Sequence, residues 1–191
     1  MAKRSAGTVR VIGGEWRGRR LPLASPDIRP TADRIRETLF NWLDPQIRGA
    51  AVLDLFAGSG ALAFEALSRG AARAFLVEQS VTNAKHLRQV ATSLNATSAK
   101  VLNKDARTFL QGPAEPFDVV LLDPPFADSD AAILCTLLER RGWLAPDARI
   151  YIEQSAENGL PELPVNWELV REKQAGRVSY GLAVRRQGAP K

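Results

Sequence analysis

Residues 51–60 read Ala-Val-Leu-Asp-Leu-Phe-Ala-Gly-Ser-Gly, and this stretch decides the fold. A short apolar run ends at an acid, Asp54, and two glycines then lead the chain into a helical pattern at 61–67. Further apolar runs alternate with helical patterns along the chain, at 74–77, 100–102, 117–122 and 148–152. Strands that alternate with helices predict a parallel sheet with helices on both faces.

The two ends of the chain depart from this alternation. Residues 168–172 and 178–185 flank Ala175-Gly176 and predict a final antiparallel pair of strands. Residues 8–21 form two extended runs around Gly13-Gly14, which predict a hairpin, and an amphipathic helix follows Pro30. We therefore expect a Rossmann-like α/β fold: a mostly parallel seven-stranded sheet with helices on both faces, plus a small N-terminal hairpin and helix.

Composition excludes several classes of protein. The chain has 191 residues, 45% of them hydrophobic, which is typical of a globular domain. It has one cysteine, Cys135, and one histidine, His86, so neither a disulfide framework nor a metal site built from these residue types is expected. No run reaches the roughly 18 apolar residues of a membrane helix, and the start of the chain lacks the apolar part of a secretory signal. We expect a cytoplasmic protein without a metal.

The net charge of +5 is unevenly distributed along the chain. Residues 1–48 contain ten Lys or Arg and five Asp or Glu, whereas the other 143 residues contain sixteen of each sign. We therefore divide the chain into a basic N-terminal extension, 1–48, and a neutral domain, 49–191. A one-sided basic segment is typical of a polyanion binder, although a solubilising tail has the same composition.

Acids stand at or just after the ends of four predicted strands. They are Asp54, Glu78, Asp105 and Asp123. Because ligands of open α/β sheets bind at the carboxyl ends of the strands, these carboxylates are expected to face one crevice. Glu78 follows Asp54 by 24 residues, close to the spacing of an acid that binds a ribose diol. A carboxylate ahead of the glycines would repel a pyrophosphate, so a cofactor with an amino group and no phosphate, such as S-adenosylmethionine, fits better than NAD. The same acids are also candidates for helix caps.

The stretch Asp123-Pro124-Pro125-Phe126 directly follows an apolar strand. The two prolines fix the backbone and remove two N–H donors, which leaves a rigid row of acceptors. Such a row suits an exocyclic base amine, because hydrogen bonds from its N–H groups help the nitrogen to become tetrahedral as it attacks a methyl group. Phe126 is suited to stack on the base.

These motifs resemble those of class I S-adenosylmethionine-dependent methyltransferases that methylate amines. The segments 10–19, 29–42 and 157–161 narrow the resemblance to the RsmD family. That family methylates the N2 amine of one guanine in the 16S ribosomal RNA of the bacterial small subunit. The resemblance covers nearly the whole chain and implies the class I methyltransferase fold. Many amino-methyltransferases have Asn where Asp123 stands, but the resembled family carries Asp.

The resemblance implies a role for each matching residue. The residues implied for the cofactor are Asp54, Phe56, Gly58, Ser59, Gly60, Glu78, Gln79, Asp105 and Ala106. The residues implied to hold the guanine are Asp123, Pro124, Pro125 and Phe126. The candidates for RNA contact are Arg10, Trp16, Arg17, Arg19, Arg29, Thr31, Arg34 and Arg36. For Trp16, packing of the hairpin competes with base stacking, and for Arg34 and Arg36 a solvated helix face is the rival interpretation.

The expected partner is 16S ribosomal RNA, within the small subunit or an assembly intermediate, with ribosomal proteins as candidate helpers and a monomer as the expected state. Two other functions compete with this one. The first is an amino-methyltransferase that acts on adenine in DNA or RNA, or on a protein glutamine. The second is an RNA-binding assembly factor that keeps the fold and has lost catalysis. The basic N-terminal segment argues against a protein substrate, and the intact motifs argue against loss of catalysis.

Overall fold

The computed structural model describes residues 7–25, 30–125 and 131–186. Strands and helices alternate from residue 51 onward. The strands are β1 (Thr8–Arg10), β2 (Arg20–Pro22), β3 (Ala51–Asp54), β4 (Arg73–Val77), β5 (Ala99–Leu102), β6 (Phe117–Leu122), β7 (Leu144–Ser155), β8 (Trp167–Ala175) and β9 (Val178–Arg185). The helices are α1 (Asp33–Leu43), α2 (Ala61–Ser68), α3 (Val81–Ser93), α4 (Ala106–Leu110) and α5 (Ala131–Arg140).

Seven strands form one sheet in the order β5-β4-β3-β6-β7-β9-β8. The five strands from β5 to β7 are parallel, and β9 runs antiparallel to both β7 and β8. The predicted mostly parallel seven-stranded sheet with a final antiparallel pair is therefore confirmed. The chain proceeds outward from β3 to β5 and then returns to β6, so the strand order reverses between β3 and β6. Such a switch point opens a crevice at the carboxyl ends of the two strands.

Each face of the sheet carries its own apolar core. On one face, Leu76 and Tyr151 belong to a buried cluster with Leu39 of α1 and Phe64 of α2. On the other face, Val120 lies in a second cluster with residues of α4 and α5. The hairpin and α1 contribute to the first cluster, so the described part of residues 1–48 shares its core with the sheet. Within the described residues, no helix is long and apolar enough to cross a membrane.

The predicted hairpin is present, but its strands are shorter than expected, and Gly13-Gly14 is not its turn. Strands β1 and β2 pair antiparallel, and residues 11–19 form the connection between them. Gly14 has a φ of 77° and packs against the backbone of Ser68, the last residue of α2. The Glu15 N–H donates to the Ser68 carbonyl at 2.7 Å. The two glycines therefore serve close approach to a neighbouring helix, which the local sequence does not reveal.

Candidate active site

A cavity of about 1410 Å³ opens at the carboxyl edge of the sheet, where the strand order reverses. It brings together most of the residues that the sequence predicted for the cofactor and the base. The predicted residues that line it are Asp54, Phe56, Gly58, Ser59, Glu78, Gln79, Asp105, Ala106, Asp123, Pro124 and Pro125. Phe126 lies outside the described residues. The strand-end rule thus places four acids from four different segments around one space.

Glu78 is held rigidly at the end of β4. Its carboxylate accepts hydrogen bonds from the Gly58 N–H at 3.0 Å and from the Ser80 N–H at 2.7 Å, one on each oxygen. The side chain is almost buried but still lines the cavity. Each carboxylate oxygen has a second lone pair, so this fixed group is able to accept hydrogen bonds from the two hydroxyls of a ribose.

The two glycines of the loop after β3 have different roles. Gly58 lines the cavity with a φ of 49°, a conformation that side chains rarely adopt. Gly60 does not line the cavity, which departs from its predicted cofactor role. A Cβ on Gly60 would lie 2.5 Å from the Phe64 ring and 2.7 Å from Leu87. Gly60 is therefore needed for close packing of the loop against α2 and α3.

Asp54 is the most deeply buried acid of the cavity, with 1% of its surface exposed. Burial and the negative charge of Asp123 together raise the pKa of Asp54 to about 8, although the Phe56 N–H, 3.3 Å away, acts in the opposite direction. A positively charged group near Asp54 would favour its ionised form and offset the cost of burial. The site is therefore suited to a cationic ligand.

Asp105 combines two of the roles that the sequence left open. Its carboxylate accepts a hydrogen bond from the Thr108 N–H at 2.9 Å and so caps α4. It also lines the cavity beside the buried Ala106. The cap fixes the start of α4 at the rim of the cavity, next to the small side chain of Ala106.

Asp123 immediately follows β6 and accepts a hydrogen bond from the Thr31 hydroxyl at 3.1 Å. Burial raises the pKa of Asp123 to about 6, while the Thr31 hydrogen bond acts in the opposite direction. The bond occupies Oδ2 and, among the described residues, leaves Oδ1 without a hydrogen-bond donor. Thr31, predicted as an RNA contact, thus lies in the cavity and holds the acid that was predicted to bind the base.

The chemistry of this cavity fits S-adenosylmethionine. A fixed carboxylate at Glu78 suits the ribose, and a buried carboxylate at Asp54 suits a cation. The space above the Gly58 backbone is open. A Cβ built on Gly58 would have the Phe56 carbonyl oxygen as its nearest neighbour outside the adjacent residues, at 3.8 Å. Within the described part of the chain, no group of three or more His, Cys, Asp or Glu is arranged to hold a metal ion.

The structure places the predicted RNA contacts in different environments. Arg10, Arg17, Arg19 and Arg34 are exposed, so their side chains are available to a phosphate backbone. Trp16 is only 9% exposed and packs in the first apolar cluster, which favours the hairpin-packing interpretation. Arg29 lies outside the described residues.

Arg36 corrects the sequence prediction. It was expected on a free helix face, but it is 1% exposed. Its guanidinium donates to the Arg10 carbonyl at 2.7 Å and to Asp33 at 2.7 Å, and it lies 3.5 Å from the buried Glu65. The side chain ties α1 to β1 and α2, so it is not available to RNA in this structure.

Sequence reasoning did not select Glu153, a buried acid that also lines the cavity. It lies near the end of β7, on the strand beside β6. The signal was present, because Glu153 follows the apolar run 150–152 just as Asp123 follows 117–122. The same strand-end rule that selected four acids would have selected a fifth.

The family described as conserved hypothetical protein 95 matches residues 9–184. The chain is 51% identical to ribosomal RNA small subunit methyltransferase D of Escherichia coli K12, over 93% of this chain and 90% of that protein. It is 47% identical to the protein of the same name from Haemophilus influenzae, over 92% and 93%. The structure of a putative methyltransferase from Escherichia coli superposes with a TM-score of 0.89, at 50% identity, and covers 94% of this chain and 99% of that one.

Proposed function

Because the chain belongs to the RsmD family, described as conserved hypothetical protein 95, we propose that it methylates the N2 amine of one guanine in 16S ribosomal RNA. It is an S-adenosylmethionine-dependent ribosomal RNA methyltransferase. The identity of 51% over nine-tenths of both chains supports the reaction and the RNA of the small subunit. The choice of guanine N2 rests on Asp123-Pro-Pro and on the family resemblance.

The observation that carries this proposal is the position of Asp123. The acid lies in the same cavity as Glu78 and Asp54, and the Thr31 hydroxyl fixes its orientation. One cavity thus joins a part suited to the cofactor to a strand end that presents acceptors. Pro124 and Pro125 contribute carbonyls and no N–H groups, so nothing there competes with the amine as a donor.

Bound S-adenosylmethionine supplies an electrophilic methyl group. Glu78 would hold its ribose, and Asp54 would lie on its cationic side. Asp123 Oδ1 accepts one N–H of the guanine amine, and a backbone carbonyl of the Asp-Pro-Pro segment accepts the other. With both N–H groups held, the nitrogen lone pair would face the methyl group. As the N–C bond forms, the methyl–sulfur bond would break and its electron pair would stay on the sulfur of the departing product. The methylated nitrogen then carries one proton too many, and Asp123 Oδ1 is placed to accept it.

The RNA must deliver an unpaired base to this cavity. In a paired guanine, one N–H of the N2 amine and the N1–H are bonded to cytosine, so they are not available to the protein. We therefore propose that the target is a loop or flipped nucleotide. Arg34 lines the cavity, and Arg10 forms a surface ion pair at 3.5 Å with Asp33, at the start of the same helix. These side chains are placed to bind the phosphates that flank the target.

We further propose that the protein acts in the cytoplasm as a monomer on the small subunit or an assembly intermediate. A chain of 191 residues offers a small surface with which to define one guanine. Ribosomal proteins are therefore candidate partners that help to present the site.

The proposal is tested by methyl transfer to small subunits from a strain that lacks this modification. The purified protein should transfer labelled methyl groups, and mass spectrometry of the digested RNA should show N2-methylguanosine. A parallel reaction with protein-free 16S RNA shows whether the substrate is the free RNA or the ribosomal particle. Label on adenine or on a ribosomal protein would contradict the proposed substrate.

Replacement of the acceptor tests the proposed site. We expect Asp123→Ala to lower methyl transfer by at least about a hundredfold, because the amine loses the group that orients it. Cofactor affinity, measured by calorimetry, should change less than about threefold, since Glu78 and Asp54 remain. Asp147→Asn is the control, because Asp147 is an exposed acid near the opposite end of β7. A folded Asp123→Ala variant with normal activity would refute the account of the site.

A further inference from the structure

Glu153 is a buried residue with two carboxylate oxygens in different surroundings: one accepts a hydrogen bond from the protein, and the other has no donor among the described residues. The side chain is 5% exposed, and its Oε2 accepts a hydrogen bond from the Tyr151 hydroxyl at 2.7 Å. Its Oε1 has no hydrogen-bond donor among the described residues, yet Glu153 lines the large cavity. This oxygen faces the open cavity, so it is free to accept a hydrogen bond from a donor on a ligand.

The sheet register places Glu153 beside Asp123. Leu122 of β6 pairs with Ile152 of β7, and Asp123 and Glu153 are the next residues on these parallel strands. Neighbouring strands lie about 4.8 Å apart. Asp123 stands two residues after Leu121, and Glu153 stands two residues after Tyr151. Leu121 and Tyr151 both belong to the first apolar cluster. Because residues two apart on a strand share a face, the side chains of both acids lie on the same face of the sheet.

The buried carboxylate of Glu153 and the half-buried carboxylate of Asp123 repel each other at this separation unless donors lie between them. Burial and the negative charge of Asp123 raise the pKa of Glu153 to about 8, while the Tyr151 hydroxyl acts in the opposite direction. Among the described residues, no cation pairs with either acid. A ligand that presents two adjacent donors would satisfy both carboxylates at once.

Among the common bases, guanine presents such a pair of donors, the N2 amine and the N1–H beside it. Adenine and cytosine present an acceptor ring nitrogen next to their amines. We infer that Glu153 is a specificity-determining residue whose Oε1 accepts the N1–H of the target guanine while Asp123 accepts from N2. This inference rests on the proposed function and adds to it the group that selects guanine over other amino bases.

The test uses 2-aminopurine, which keeps the N2 amine but has an N1 acceptor in place of the N1–H. Small-subunit RNA is assembled by ligation with either guanine or 2-aminopurine at the methylated position. The value of kcat/KM is measured for both bases at the same pH, low enough for N1 of guanine to keep its proton. The wild-type enzyme should prefer guanine by at least about tenfold, because the N1 lone pair of the analogue faces a carboxylate.

The variant Glu153→Gln replaces one acceptor oxygen by an amide that also donates. The preference for guanine should fall by at least about tenfold, because the amide is able to donate to N1 of 2-aminopurine. Cofactor affinity should stay within about threefold of the wild type. Glu172→Gln, an exposed carboxylate on the edge strand β8, should leave the preference unchanged.

Each result distinguishes the inference from the proposed function. If Glu153→Gln binds the cofactor but keeps the wild-type preference, or loses activity equally on both bases, the inference is overturned and the proposed function stands. If the wild-type enzyme methylates 2-aminopurine within about threefold of guanine, the inference fails even if the variant does not fold. If the wild-type enzyme does not methylate guanine N2, both are overturned.

Discussion

Arg36 and Arg34 are two residues apart on α1, yet the structure assigns them opposite environments. Arg36 is buried and shares the carboxylate of Glu65 with the N–H groups of Ile12 and Gly13, at 2.7 and 2.8 Å. Arg34 is exposed and lines the cavity. The Arg36 side chain therefore belongs to the polar network that joins the N-terminal segment to α2.

Replacement of each side chain by alanine should show that Arg36, and not Arg34, contributes to the stability of the fold. We expect Arg36→Ala to lower the free energy of unfolding by about 3 kcal/mol, because it leaves the buried Glu65 charge partly uncompensated. Arg34→Ala should change it by no more than about 0.5 kcal/mol, since an exposed side chain is removed. Urea denaturation measures both values. Equal stability losses in the two variants would contradict the assignment of Arg36 as a structural residue.

Thr31 should act through the ionisation of Asp123. Loss of its hydroxyl in Thr31→Val removes the hydrogen bond that lowers the pKa of this acid, so the pKa should rise above its value of about 6. Because ionised Asp123 is the acceptor, kcat/KM rises with pH through this range, and the midpoint should move upward by about one pH unit.

A pH profile distinguishes this role from a direct RNA contact. The Thr31→Val variant should lose most activity near pH 6 and approach the wild-type rate above the shifted pKa. Thr31→Ser keeps the hydroxyl and should restore the wild-type midpoint. A loss of activity that is the same at every pH would show that Thr31 contributes to binding alone.

At the scale of elements, the connection from residue 11 to 19 works as a clamp on the end of α2. Gly14 and Gly18 both have positive φ angles, of 77° and 85°, but their surroundings differ. A Cβ on Gly14 would lie 1.8 Å from the Ser68 carbonyl oxygen, whereas a Cβ on Gly18 would meet nothing within 4 Å. The two positions are therefore a matched pair for measuring what the contact contributes.

Gly14→Ala should destabilise the protein much more than Gly18→Ala. The second substitution costs only the left-handed conformation, about 1 kcal/mol. The first adds a clash with backbone that is unable to move without lifting residues 11–19 from α2, so we expect a loss of more than about 2 kcal/mol. Thermal unfolding of the two variants makes the comparison. Equal losses would mean that the clamp moves freely and contributes little.

The strands β3, β4 and β6 were predictable because each is mostly an apolar run between turn residues. The exposed strand β8 carries many charges, and its signal was the turn at Ala175-Gly176. The five-residue helix α4 was not predicted, because it is too short to show a helical period. The N-terminal connection was misread because Gly13-Gly14 looks locally like a hairpin turn, and its real contact, Ser68, is about 55 residues away in the sequence. The burial of Arg36 had the same cause, since its partner Glu65 lies in another helix.

The candidate site was predictable to the extent that a single rule applies to it. An acid at the carboxyl end of an apolar strand is visible in the sequence, and four such acids do meet in one cavity. The pairing of Asp123 with Glu153 was not visible, because it depends on β7 being the neighbour of β6. The hydrogen bond from Thr31 depends on how α1 packs, which no local pattern encodes.

At the scale of the whole molecule, two arginines of the basic N-terminal segment, Arg19 and Arg34, lie at opposite edges of the sheet. Arg34 lines the large cavity at the carboxyl edge of the sheet. Arg19 instead lines a smaller pocket formed by residues that precede β4 and β5, at the amino edge, and donates to the Ser93 carbonyl at 3.4 Å. The described part of the segment therefore carries positive charge to both edges of the sheet.

This arrangement predicts that the two groups of arginines contribute differently to the reaction. We compare two double variants, Arg17→Ala/Arg19→Ala and Arg10→Ala/Arg34→Ala. Each should weaken RNA binding. If each side chain contacts a phosphate, each variant should also reduce the slope of log affinity against log salt concentration by up to about two. Arg34 of the second pair lines the cavity that would hold the base, so only that variant should also lower single-turnover methyl transfer at saturating enzyme. Filter binding from 50 to 200 mM salt and single-turnover rates measure the two effects. An unchanged salt slope in the first variant would mean that Arg17 and Arg19 contribute to solubility and not to RNA binding. An equal loss of the single-turnover rate in both variants would show that the RNA spans the molecule from edge to edge.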